Sequence, residues 1–370
     1  YESCACLVGS EMCIRDRSIL IMLSILSLLV ILIVCYHVIQ SFTLQVSSSA
    51  EKYIYNNEIP NLQSEKKDYI KWFEFKANYE ILDKTSKLDI KSHEKDEPIK
   101  YNWIELISYL ACKYGNNFSK FKQADLDKLT SELKSGKSIE ELTQKMKLYN
   151  YYFEGYDSVL HEFIGDYKIV SSSNPAEKIL KEKYGLKAFC PIAKNYSFSH
   201  YDDFGASRSY GYKRIHFGND LMGSIGTPII AVESGIVEAI GWNQYGGWRI
   251  GIRSFDKKRY YYYAHLRKNH PYVQDIKEGQ IVQAGDVIGY LGMTGYSTKE
   301  NTNNINVPHL HFGIQIIFDE VQKEGPNQIW CDLYDLVNFL KRNSSEVYRS
   351  NDKTKDYSRK IDFIDSSLPD

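Results

Sequence analysis

The chain is 370 residues long, with 46 lysines and arginines against 47 acidic residues and a formal net charge of −1. A balanced charge leaves no basic footprint, which argues against nucleic acid as a partner, and the length leaves room for two domains of ordinary size. Cys4, Cys6 and Cys13 lie near the start, Cys35 sits in an apolar run, and Cys112, Cys190 and Cys331 stand alone without a CxxC pair. A disulfide framework or structural zinc knot is therefore not expected, beyond one bridge among the last three.

In chain order, residues 1–17 resemble translated sequencing-adapter read-through rather than a folding segment. Residues 18–42 hold an almost unbroken apolar run, Ile19 to Tyr36, interrupted by Ser24 and Ser27. Eighteen helical residues reach about 27 Å, enough for a bilayer core, and Arg15 and Arg17 before it would keep the N-terminus in the cytoplasm. The run exceeds the usual apolar core of a secretory signal. The expectation is therefore an uncleaved anchor with the rest of the chain outside, the alternative being secretion after cleavage between Ser47 and Ala50.

Residues 43–185 are rich in Lys, Glu, Leu and Tyr and read as a helical module outside the membrane. Trp103, Ile107, Leu110 and Tyr114 recur at helical spacing, as do Leu142, Met146, Tyr149, Phe153, Tyr156 and Leu160. Ser138 followed by Glu141 reads as a capping box before the second run. The stripes are expected to form the module's own core, and its role is that of a spacer, a cover over a cleft or a docking site for a cell-envelope protein. Glu105 has no second acidic motif to make a glycosidase pair.

Residues 185–199, with Pro191 and a polar Lys194–Ser197 stretch, read as a linker. Beyond them, short Ile-, Val- and Tyr-rich strands alternate with glycine-containing turns, as in a mostly antiparallel all-β domain over residues 186–342. Tyr260 to Tyr263 form one strand with alternate rings on opposite faces, and Tyr245, beside Gly246 and Gly247, is a candidate groove-lining residue. Residues 330–340 read as a closing helix, and residues 343–370, polar and charged, as a disordered tail. The fold class is α+β: anchor, helical module, then β domain.

Two histidine segments of this β region carry the chemistry. His309 and His311 sit in an apolar run, residues 307–317, that reads as a strand, and side chains two apart on a strand share a face. His216 precedes Asp220 by four residues, with Gly218 between them allowing a tight backbone path. Two imidazoles and a carboxylate are ligand types of a catalytic zinc site that keeps a position open for water. Between the segments lie Gly226-Thr227-Pro228, Ser234-Gly235-Ile236-Val237, Tyr263-Ala264-His265-Leu266, Gly285-Asp286-Val287-Ile288-Gly289 and Thr294-Gly295-Tyr296-Ser297.

In that order and spacing, residues 204–318 closely resemble the lysostaphin-type zinc endopeptidases of bacterial cell walls, the M23 family. The resemblance implies Zn2+ held by His216, Asp220 and His311, with His265 and His309 sharing the acid–base work. It implies peptidoglycan peptides as substrate, and it makes a non-catalytic, wall-binding scaffold the alternative. The outward orientation of the chain also rests on it if residues 1–17 are extraneous. Residues 298–307 depart from the family pattern as an Asn-rich insertion, expected to be a flexible loop beside the cleft. His200 and His270 are close enough in sequence for a supporting role, whereas His93 and His161 read as ordinary histidines of the helical region.

Overall fold

The computed structural model describes residues 69–171, 179–209, 213–325, 327–351, 353–360 and 363–369. The leader, the anchor and the start of the helical module fall outside the described residues. Among those described, no helix is long and apolar enough to cross a membrane.

The N-terminal part is helical: α1 (Tyr79–Ser92), α2 (Trp103–Tyr114), α3 (Gln123–Lys134), α4 (Ile139–Thr143) and α5 (Tyr149–Leu160). Their starts follow from local chemistry. Asn78 and Asn102 accept backbone N–H groups of the first turns of α1 and α2, and Ser138 and Glu141 make both bonds of the capping box on α4. The second apolar run, expected as one helix, is split into α4 and α5. A turn joins them, in which the Met146 N–H donates to the Thr143 carbonyl and the Tyr149 N–H to that of Met146.

A hairpin follows, β1 (Ile164–Ser171) with β2 (Ile179–Leu186), and then strands β3 (Ser199–His200), β4 (Ser207–Ser209), β5 (Lys213–Ile215), β6 (Asn219–Met222), β7 (Pro228–Ile230), β8 (Gly235–Asn243), β9 (Gly247–Ser254), β10 (Arg259–Ala264), β11 (Ile281–Val282), β12 (Val287–Tyr290), β13 (His309–Ile316) and β14 (Ile329–Trp330). Helix α6 (Tyr334–Leu340) is shorter than expected because Ile329 and Trp330 pair with β13 as strand. Strands β15 (Val347–Arg349), β16 (Tyr357–Arg359) and β17 (Phe363–Asp365) end the chain. The main sheet is antiparallel, in the order β11-β8-β9-β10-β13-β6-β3, with β14 beside β13.

Period-two alternation decides which face does what. On β10 and β13, Tyr261, Tyr263, Leu310, Phe312, Ile314 and Ile316 are buried in the core. Tyr260, Tyr262, His309 and His311 point to the other face.

Three expectations about organisation need correction. The helical region and β region are not two modules on a linker: Tyr69–Asp370 is one compact unit with a continuous buried core. The helices' apolar stripes are not used up among themselves; Trp103 of α2 stacks on Phe339 of α6, ring centroids 5.9 Å apart. The fully buried Arg259 grips Glu233 with two N–H groups at 2.8 and 2.9 Å and donates to the Ser158 carbonyl of α5 at 3.1 Å.

Residues 185–199 are woven in rather than loose. Ala188, Cys190, Ile192 and Ala193 are buried, and the Phe189 N–H donates to the Val232 carbonyl and the Cys190 N–H to that of Asn343. Cys112, Cys190 and Cys331 are free thiols.

The tail is ordered over its described residues. Strand β17 pairs with β1, and Phe363 packs on Tyr167 and Phe189. Asp365 accepts from Lys187 at 2.9 Å and Ser234 at 2.6 Å, and Asp356 from the Tyr290 hydroxyl at 2.7 Å and the Gln274 N–H at 2.8 Å. Polar composition misleads here because these carboxylates find partners in the β region rather than water.

Candidate metal centre

The candidate ligands come from two neighbouring strands and the turn between β5 and β6. Register places His311 of β13 opposite Asp220 of β6 and, on its other side, opposite Ala264 of β10. His216 reaches the same point because Gly218 has φ +146°, a conformation that L side chains rarely adopt. A Cβ at Gly218 would lie 2.8 Å from the His311 ring and from the Phe312 carbonyl, so glycine is also what lets the turn close over His311.

The result is a tight triangle of donor atoms. His216 Nε2 is 2.9 Å from His311 Nδ1 and 3.1 Å from Asp220 Oδ1, and His311 Nδ1 is 3.1 Å from that oxygen. A tetrahedral zinc with bonds of about 2.0–2.1 Å needs donors about 3.3 Å apart, close to this spacing. Among the described residues, no other group of three or more His, Cys, Asp or Glu side chains converges in this way.

Protonation fits as well. His216 Nδ1 lies 3.0 Å from the Asp203 carbonyl, which can only accept, so the proton sits on Nδ1 and Nε2 turns its lone pair inward. Burial resists charge on Asp220, yet its contacts with His216 and His311 outweigh it and hold the carboxyl far below its ordinary range. Burial lowers the pKa of His311, favouring the neutral form that ligates a metal. The donor set therefore suits zinc.

Sequence reasoning missed the layer behind the ligands. Arg208 donates to Asp203 Oδ2 at 2.7 Å and Asp220 Oδ2 at 3.3 Å, while Asp203 Oδ1 accepts the Asp220 N–H at 3.2 Å. Asp203 thus fixes one imidazole through its backbone and one carboxylate through its side chain. No motif spacing announces such a residue; an acid upstream of the first histidine is too common a signal.

His265 and His309 flank the triangle, with ring centroids 4.8 Å apart. His265 Nδ1 is 2.9 Å from the Thr294 carbonyl and His309 Nδ1 is 2.8 Å from the Val307 carbonyl, so each ring keeps its proton on Nδ1 and leaves Nε2 free as a base. His309 Nε2 lies 3.6 Å from Asp220 Oδ1. Burial, together with His309 and His311, keeps the His265 pKa well below normal. His265 also adopts φ +61°, an uncommon backbone state for a non-glycine residue and one that clusters at functional sites.

These groups open into a cleft of about 620 Å³, lined also by Arg208, Arg214, Tyr245, Tyr262 and Tyr296 and by residues 304–307. Tyr245, the candidate groove-lining residue, borders this cleft. The Asn-rich insertion does border the cleft, but it is tethered rather than loose. Asn301 accepts the Trp248 indole N–H at 2.9 Å, Asn304 donates to the Tyr296 carbonyl at 2.6 Å, and Ile305 is buried.

His200 and His270 do not reach the cleft. His200 packs on Tyr334, where burial, aided by Lys341, pushes its pKa down to about 4. His270 pairs with Asp356 at 2.7 Å. His93 and His161 pair with Asp89 and Asp157 in the helical part.

Residues 214–324 match the family model described as Peptidase family M23. The chain is 41% identical to the L-Ala--D-Glu endopeptidase of Bacillus subtilis (strain 168) over 124 residues, which are 34% of this chain and 36% of that protein. It is 41% identical to lysostaphin of Staphylococcus staphylolyticus over 99 residues, 26% of this chain and 18% of that one. The crystallised catalytic domain of lysostaphin from Staphylococcus simulans is 35% identical, with a TM-score of 0.27, and the match covers 32% of this chain and 80% of that one. The chain thus spans about a third or less of the length of these curated relatives.

Proposed function

We propose that this chain is a zinc-dependent endopeptidase that hydrolyses peptide bonds in bacterial peptidoglycan, acting outside the cytoplasmic membrane on an N-terminal anchor. The observation that carries the reading is the convergence of His216 Nε2, Asp220 Oδ1 and His311 Nδ1, with two further histidines offering Nε2 to the same cleft. The M23 match and the relatives named as an L-Ala--D-Glu endopeptidase and as lysostaphin support the reaction class. The anchor rests on the apolar run from Ile19 to Tyr36 alone.

His216, Asp220 and His311 would hold the ion. Bound there, zinc would polarise a carbonyl and lower the pKa of a water to about 7. The chain's own contribution is positional. Asp203 and Arg208 hold two ligands in place. His265 and His309, each fixed by a carbonyl on Nδ1, present Nε2 to take a proton from the attacking water and return it to the leaving amine. Tyr245 and Tyr262 wall the cleft in which an extended peptide would lie.

The test is zinc content and peptidoglycan cleavage by the purified chain, with His309→Ala and His311→Ala alongside. Equimolar zinc and new free amino groups are expected, with cleavage abolished by either change and zinc lost only in His311→Ala. Zinc bound without cleavage of walls of several chemotypes would replace the enzyme with a wall-binding scaffold.

A further inference from the structure

A second cavity, of about 470 Å³, adjoins the cleft and shares Arg214, His216, Tyr262 and His311 with it. The cleft therefore continues as a groove over the sheet face that carries the candidate metal centre. Alternation along β9 puts Ile250 and Ile252 in the core and Arg249 and Arg253 on this face.

The arginines here fall into two kinds. Arg208 is engaged by Asp203 and Asp220, and Arg253 by Glu238 and Glu320. Arg214 and Arg249 have no carboxylate within 4 Å among the described residues. Moreover, Arg214 Nε and one terminal nitrogen of Arg249 are shielded from solvent with no acceptor among the described residues. Buried donors are nearly always paired, and those left over call for an explanation. Both arginines line this second cavity together with Tyr262. The Tyr262 ring meets His311 edge-on at 5.9 Å between centroids. Arg214 is also stacked over Tyr296 at 4.8 Å, so its planar fork is held rather than free. The other charged groups of the groove are Glu324 and Lys323, the latter paired with Glu238.

We propose that Arg214 and Arg249 form a subsite for a carboxylate of the peptide substrate, so that the cleft selects anionic peptides over neutral, glycine-like ones. This rests on the endopeptidase reading for what occupies the cleft. A carboxylate offers two acceptors in the plane that a guanidinium matches, which a carboxamide does not. Of the substrate's groups, it is the one that would offset both positive charges lining the groove.

The experiment uses the full chain and two peptides that differ in one group. One carries a D-Glu with a free carboxylate next to an L-Ala bond, and the other carries the carboxamide at that position. The ratio of their kcat/KM values is read for wild type, Arg214→Gln and Arg249→Gln, and calorimetric binding of both peptides to the chelator-treated chain is read in parallel. Wild type is expected to favour the carboxylate on the order of tenfold to a hundredfold, the range of charge-assisted hydrogen bonds. Each substitution should bring the ratio towards unity, and raised salt should weaken it. A wild-type ratio below about twofold, or variants that keep the wild-type ratio, would overturn the subsite. Should a variant fail to fold by circular dichroism, the wild-type ratio and its salt dependence decide. Hydrolysis without preference removes the subsite and keeps the enzyme; an arginine-dependent binding preference without hydrolysis does the reverse.

Discussion

Gly218→Ala isolates the turn that closes over His311. At φ +146° an alanine costs about 1–3 kcal/mol of backbone strain. The added methyl would sit 2.8 Å from the His311 ring and the Phe312 carbonyl, against about 3.5 Å for an ordinary carbon contact. His311 lies on β13, held between β10 and β6, so the strand does not give way. Either the imidazole tilts or the turn lifts, and the turn carries His216 on one side and Asp220 on the other. Both routes widen a triangle whose sides are 2.9 and 3.1 Å. The expected loss is about 10–100-fold in zinc affinity, the size of other perturbations that misplace a ligand, measured by competition with a chromophoric chelator. Gly241→Ala is the control: φ is +126° there, but nothing lies within 4 Å of the added carbon. It should reproduce the strain in a metal-free melt and leave zinc affinity alone. A folded Gly218→Ala chain that binds zinc within twofold of wild type would refute the reasoning.

Arg259→Met leaves Glu233 buried without its cationic partner and should cost about 3–5 kcal/mol, read as a lowered urea midpoint. Removing residues 343–370 should also destabilise the chain, because Lys187 loses Asp365 and β1 loses β17; an unchanged melt would restore the disordered tail. The Lys187 and Ser234 contacts, working against burial, lower the Asp365 pKa. Its contribution is therefore present above the unfolded carboxyl value and lost as pH falls through the lower folded one. In urea titrations below about pH 4, wild type should lose stability more steeply than Asp365→Asn. Zinc at a hundred times its Kd should stabilise the folded chain by about 2.7 kcal/mol, read as a raised melting temperature that His311→Ala abolishes.

Local periodicity made part of this protein legible. The alternation around His309 and His311 assigned both to one face of a strand, because strand geometry repeats every two residues whatever surrounds it. The Ser138 and Glu141 capping box, and the glycine between His216 and Asp220, are likewise local constraints. The approach of β6 to β13, on which the donor triangle depends, was legible only as a family resemblance, since no periodicity encodes which strands pair. Tertiary structure alone decided the rest. Asp203 supports two ligands, Arg259 joins the helices to the sheet, and Asp356 and Asp365 hold the C-terminal strands. Each is a polar side chain whose sequence neighbourhood looks like surface. Its role is set by partners that chain folding brings to it, here from up to 178 residues away, and composition cannot distinguish a carboxylate facing water from one facing a buried lysine.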